Sequence, residues 1–82
     1  MPKRIGTVTI IITDRIDQSV RVNEILSKHA EIIIGRMGLP YSLKKISIIC
    51  LIVNGSTDQL GSLTGQLGSI DGAQVKSVMA KI

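Results

Sequence analysis

One stretch of the chain, Ile46 to Asn54 (I-S-I-I-C-L-I-V-N), is apolar at nearly every position and rich in β-branched residues. A short run of this kind, closed by Asn54-Gly55, predicts a strand buried on both faces. Ile46, Ile48, Cys50 and Ile52 then point one way, and Ser47, Ile49, Leu51 and Val53 the other. Arg4 to Thr13 alternates instead. Val8, Ile10 and Ile12 make an apolar face, whereas Ile5, Thr7, Thr9, Ile11 and Thr13 make a mixed one, as in a strand covered on one side and partly open on the other. Asp14 closes that strand and can cap the next element. From Ile16 to about Ala30 the period changes, with Val22, Ile25, Leu26 and His29 at i, i+3, i+4 and i+7 and Asp17, Arg21, Glu24 and Lys28 between them. This is an amphipathic helix, with Asp17 near the positive end of its dipole and Glu24–Lys28 in the favourable orientation.

Glu31 to Gly35 (E-I-I-I-G) is ambiguous between a helix extension and a strand. Three consecutive Ile residues favour a second strand beginning near here. Gly35 to Tyr41 holds two further turn formers, Gly38 and Pro40, and reads as loop or irregular strand. After Gly55, Ser56 with Gln59 matches a capping box, and Leu60, Leu63 and Leu67 form the stripe of a second helix ending near Gly68. Gly61 and Gly65 lie on one side of that helix, either for close approach of another backbone or as tolerated weak points. Ser69 to Gly72 is a turn, and Ala73 to Ala80 a last strand with Val75, Ser77 and Met79 opposite Lys76 and Val78.

The order strand–helix–strand–strand–helix–strand predicts an α+β, ferredoxin-like βαββαβ fold spanning residues 1–82 as one domain, with two helices on one face of a four-stranded antiparallel sheet. The other sheet face is bare in a monomer. The set Ile49, Leu51 and Val53, or the opposite set, is then expected to meet a partner, and the chain is expected to assemble with copies of itself through a sheet face or edge.

Composition sharpens this in two ways. With no Phe, no Trp and one Tyr among 82 residues, the core is built from aliphatic side chains, and a small core gains from association. A net charge of +4 invites a nucleic-acid partner, yet the Lys and Arg residues are scattered and no aromatic stacking platform accompanies them. Solvated faces are the simpler expectation. Cys50, alone within a strand, suits a reducing compartment. No leader-like or membrane-spanning run is visible, and a cytoplasmic location is expected.

Candidate chemistry gathers at one expected sheet edge, where the turn carrying Asp14 and Arg15 meets the segment carrying Arg36, Gly38 and Tyr41. Arg side chains and a helix N-terminus favour anions, so a small anionic ligand is the expected occupant. No metal spacing is present, and His29 reads as a hydrogen-bonded packing residue. No catalytic motif appears either. The acylphosphatase-type phosphate loop of ferredoxin-like enzymes needs a Gly-rich first turn, and Thr13-Asp14-Arg15 has no glycine. No enzyme activity, catalytic residue, metal or cofactor is expected.

Specific segments nevertheless look familiar: D-R after the first strand, V-N-E-I-L over residues 22–26, R-M-G-L-P over 36–40, and L-G-S-L-T-G-Q-L-G-S-I-D-G-A-Q-V-K-S-V over 60–78. Over nearly its whole length the chain resembles the small proteins described as iron-only hydrogenase system regulators, a role inferred for them largely from gene company. That family is similar in fold to ACT domains and to the C-terminal domain of nickel-responsive repressors. The resemblance implies an ACT-like, oligomeric, ligand-sensing module. It does not carry over the repressors' histidine ligand set, because residues 31–35 contain no His, and no DNA-binding segment is attached. Two alternatives stand beside it: a nucleic-acid-binding protein using its basic surface, and a structural adaptor for a hydrogenase maturation protein.

Overall fold

A computed structural model describes residues 2–13 and 15–80 of the chain. Four strands and two helices follow in the order β1 (Arg4–Thr13), α1 (Ile16–Lys28), β2 (Ile33–Tyr41), β3 (Ile46–Gly55), α2 (Thr57–Gly68) and β4 (Gln74–Met79), with a single 3-10 turn at Ala30–Ile32 leading into β2. The sheet is antiparallel in the order β2-β3-β1-β4, the split arrangement expected of this element order.

The two central strands carry the core because their inward parities are uniformly apolar. Val8, Ile10 and Ile12 on β1 and Leu51 and Val53 on β3 are buried beneath Val22, Ile25 and Leu26 of α1 and Leu60, Leu63 and Leu67 of α2. Burying side chains of this size contributes roughly 1.5–3 kcal/mol each. Leu51 and Val53 therefore do not form an assembly surface: both are 0% exposed within the chain's own core, and Ile49 packs against it. The expectation that this set meets a partner is corrected. The parity left open on β3 is the other one, Ile46, Ile48, Cys50 and Ile52.

Local signals hold each helix. Ser56 and Gln59 make the reciprocal capping box at the start of α2: the Gln59 amide donates to Ser56 Oγ at 3.2 Å and the Ser56 amide to Gln59 Oε1 at 2.9 Å. Helix α1 begins after Arg15, whose side chain makes no capping bond. The capping and ligand-binding roles expected of Asp14 lie outside the described residues. Nearby, buried Gln18 bonds to the Thr13 hydroxyl and donates from Nε2 to the Asp71 carbonyl at 2.6 Å, which ties the exit of β1 to the turn before β4. Gly72 in that turn has φ 79°, a conformation glycine adopts without steric cost.

The segment from Gly35 to Tyr41 is a paired strand, not a loop. It matches β3 residue for residue from Gly35↔Ile52 to Tyr41↔Ile46. Pro40 is tolerated because β2 lies at the sheet edge, where a missing N–H breaks no second ladder. Between Ile33↔Val53 and Gly35↔Ile52 the register shifts, which leaves Ile34 as the extra residue of a β-bulge.

Candidate functional site

The bulge decides what each face of β2 carries. Ile33 packs inward against the core, and strict alternation would send Gly35, Met37, Leu39 and Tyr41 inward as well. One extra residue at Ile34 reverses the phase. Arg36 and Gly38 lie opposite Leu51 and Ile49, on the helix side of the sheet. Met37, Leu39 and Tyr41 lie opposite Cys50, Ile48 and Ile46, on the open side.

On the helix side, α1 covers the centre of the sheet but not its β2 edge. A groove of about 280 Å³ remains between them. Its apolar lining is Leu39, Pro40 and Ile49 over a floor of the buried Ile12 and Val22, and its polar groups come from Ser19, Asn23, Ser47 and Arg36. Arg36 Nη2 donates to Asn23 Oδ1 at 3.4 Å, a long bond that fixes the guanidinium against α1 and leaves its other donors unassigned. Among the described residues no carboxylate pairs with Arg36; the ion pairs are Arg15–Asp17 at 3.8 Å and Arg21–Glu24 at 4.0 Å. A second concavity of about 300 Å³ continues past Arg36 along Leu26, Ala30 and Ile33.

The residues expected to share one edge are thus partly brought together and partly separated. Arg36 and Gly38 line the same groove. Arg15 lines a different concavity, in which Asp17 and Asp71 already supply negative charge. Tyr41 lies on the opposite face of the sheet, at the end of the β2–β3 ladder. Ser19 and Asn23, which complete the groove, were not singled out from sequence. Their i,i+4 spacing beside Val22 is the only signal that could have marked them, and it is shared by any polar border of a helical stripe.

His29 behaves as a packing residue. Its Nδ1 lies 2.8 Å from the Ile25 carbonyl, which can only accept, so Nδ1–H donates there, and Nε2 faces Ser62 Oγ at 3.3 Å. Among the described residues no three His, Cys, Asp or Glu side chains gather closely enough to hold a metal ion. Among the described residues no helix is long and apolar enough to cross a membrane.

The open side is apolar along β2 and β3 and mixed along β1 and β4. Its rows run Met37–Cys50–Thr9–Lys76 and Leu39–Ile48–Ile11–Gln74, flanked by Gly35–Ile52–Thr7–Val78 and by Tyr41–Ile46–Thr13. Met37, Leu39, Ile52 and Val78 are exposed there.

Comparison with known proteins gives three levels of likeness. The profile of the TM1266-like family, described as an iron-only hydrogenase system regulator with that role held provisional, matches residues 4–77. The structure of the uncharacterized protein TM1266 from Thermotoga maritima superposes with a TM-score of 0.94 at 38% identity, covering 96% of this chain and 99% of that one. The ACT domain of the GTP pyrophosphokinase of Chlorobium tepidum gives 0.76 at 19% identity, over 95% of this chain and 89% of that one. The apo form of CPII from Thiomonas intermedia K12, a nitrogen regulatory PII-like protein, gives 0.56 at 10% identity, over 94% and 91%. These last two likenesses concern the fold alone. No curated protein matches the chain.

Proposed function

The chain belongs to the TM1266-like family of iron-only hydrogenase system regulators, and from that premise we propose that it is a non-enzymatic regulatory module. It binds a small anionic ligand in the groove between α1 and β2, and it assembles with copies of itself through the open sheet face. The observation that carries the ligand reading is Arg36. This guanidinium is held at the groove by Asn23 and has no carboxylate partner among the described residues. A planar, permanently charged fork in that position is suited to a carboxylate or phosphate.

The groove offers binding groups but no reaction. Ser19 and Ser47 bring hydroxyls, yet among the described residues no His, Asp or Glu lines the groove to act as a base for either. For the ligand to be a signal, it must bind two assembled or conformational states with different affinity. The ACT and PII-like neighbours, themselves a domain of a GTP pyrophosphokinase and a nitrogen regulatory protein, support a regulatory reading at the level of fold.

Native mass spectrometry on protein purified anaerobically from its own host tests both halves of the proposal. Wild-type protein is expected as an oligomer that retains a small mass, and Arg36→Gln should lose that mass while keeping the subunit count. Equal retention by the variant removes the groove from the proposal. A second reading, a structural adaptor for a hydrogenase maturation protein, is favoured by the open apolar face. It gains if wild type is a bare monomer that captures a maturation protein.

A further inference from the structure

Building on the reading of the groove as an anion site, we propose that its ligand is a small monocarboxylate with a short branched aliphatic body and no ammonium group. Three features of the groove converge on this class.

The first is charge. Among the described residues, Arg36 is the one cation that lines the groove, and no lining residue is acidic. A single guanidinium matches a single carboxylate in bidentate fashion. A dicarboxylate or phosphate dianion would bring a second negative charge with no counterpart. A zwitterionic amino acid would bring an ammonium that must give up water with no carboxylate to receive it, and partly buried unpaired charge is costly.

The second is size. About 280 Å³ lies just below the range of roughly 300–1,000 Å³ in which drug-sized ligands are held. It accommodates a body of a few carbon atoms with room to spare.

The third is the surface offered to that body. The lining is aliphatic: Ile49, Leu39 and the ring of Pro40, over a floor of the buried Ile12 and Val22. No aromatic ring is present on which a nucleobase could stack, since the chain has no Phe or Trp and Tyr41 lies across the sheet. The hydroxyls of Ser19 and Ser47 and the Asn23 amide can satisfy the carboxylate oxygens that the guanidinium leaves free, or a neutral oxygen on the adjacent carbon.

The test is an amide-resolved NMR titration of the full chain with four probes: isovalerate, L-leucine, glutarate and AMP. Isovalerate is expected to shift the amides of Asn23, Arg36, Gly38 and Ser47 and to saturate in the millimolar range or below. L-leucine, with a similar branched body plus an ammonium, and glutarate, with a second carboxylate, should bind at least about tenfold more weakly, and AMP should leave these amides unmoved. Arg36→Gln should weaken isovalerate by about tenfold or more, and Val22→Ala should weaken it while leaving its charge recognition intact. Binding of L-leucine, glutarate or AMP in the groove as tightly as isovalerate overturns the monocarboxylate class but leaves the anion site standing. If no probe moves these amides, the class also falls. The anion site falls with it only if protein from the host carries no Arg36-dependent mass.

Discussion

Gly6 and the pair Gly61 and Gly65 look alike in the sequence, but their neighbours make them opposites. A Cβ at Gly6 would run into the Val78 carbonyl and the end of Met79, because β4 closes tightly over the start of β1 there. At Gly61 and Gly65 nothing lies within 4 Å of such an atom. Of the two explanations open for the helix glycines, tolerance in a weak helix is therefore correct, and the close approach occurs at a glycine not suspected of it. Gly6→Ala should lower the unfolding free energy by about 1–3 kcal/mol, the usual cost of forcing volume into a packed site. Gly61→Ala and Gly65→Ala should each raise it by roughly 0.5–1 kcal/mol, by restricting the unfolded chain and improving helix propensity. Urea unfolding of the three variants measures both signs in one series.

Among the elements, those whose signals are local were legible. The alternation of β1, the stripe of α1, the capping box of α2 and the apolar run of β3 all specify their structures within a few residues. The start of strand β2 was legible in its three Ile residues, but its extent and side-chain phase were not, for two physical reasons. Its Gly35, Gly38 and Pro40 disfavour a strand locally, and pairing with β3 overrides that preference. Its bulge is a relation between two strands, so no feature of residues 31–41 alone could reveal it. Arg36 and Tyr41 are expected on one edge when residues 36–41 are read as the connection into β3; as a strand, whose phase the bulge sets, they fall on opposite faces. The extra residue gives position 34 an unusual profile. Ile34 is 62% exposed, so Ile34→Ala should change stability by less than about 1 kcal/mol. Deleting residue 34 should instead remove the bulge while leaving Ile33, Gly35 and Arg36 opposite Val53, Ile52 and Leu51, so Arg36 stays on the helix side and any Arg36-dependent ligand binding should survive. Native mass spectrometry of both variants checks this, and loss of ligand by the deletion would contradict the phase argument.

At the scale of the whole molecule, the sheet is a wall with one finished side. Both helices lie on the face of Val8, Ile10 and Leu51, and the opposite face is left to Met37, Leu39, Ile48, Cys50, Ile52 and Val78. Contiguous apolar area of this kind marks an interaction surface in soluble proteins. A second copy laid face to face would bury it at the spacing of packed sheets, about 10 Å. Ile52→Lys tests this without disturbing the core, since Ile52 is 49% exposed while its neighbours Leu51 and Val53 are fully buried. The variant should keep its far-ultraviolet circular dichroism and sediment as a smaller species than wild type. An unchanged sedimentation coefficient would direct attention to the sheet edges.

That arrangement also determines how the molecule can be watched. Tyr41 is the only Phe, Tyr or Trp in the chain, and it stands on the open face beside Ile46. The core is consequently silent in the near ultraviolet, and intrinsic tyrosine emission reports whatever lies against the sheet. Diluting the protein through its dissociation range should shift that emission while the helical signal stays constant, so the chain carries its own optical gauge of assembly.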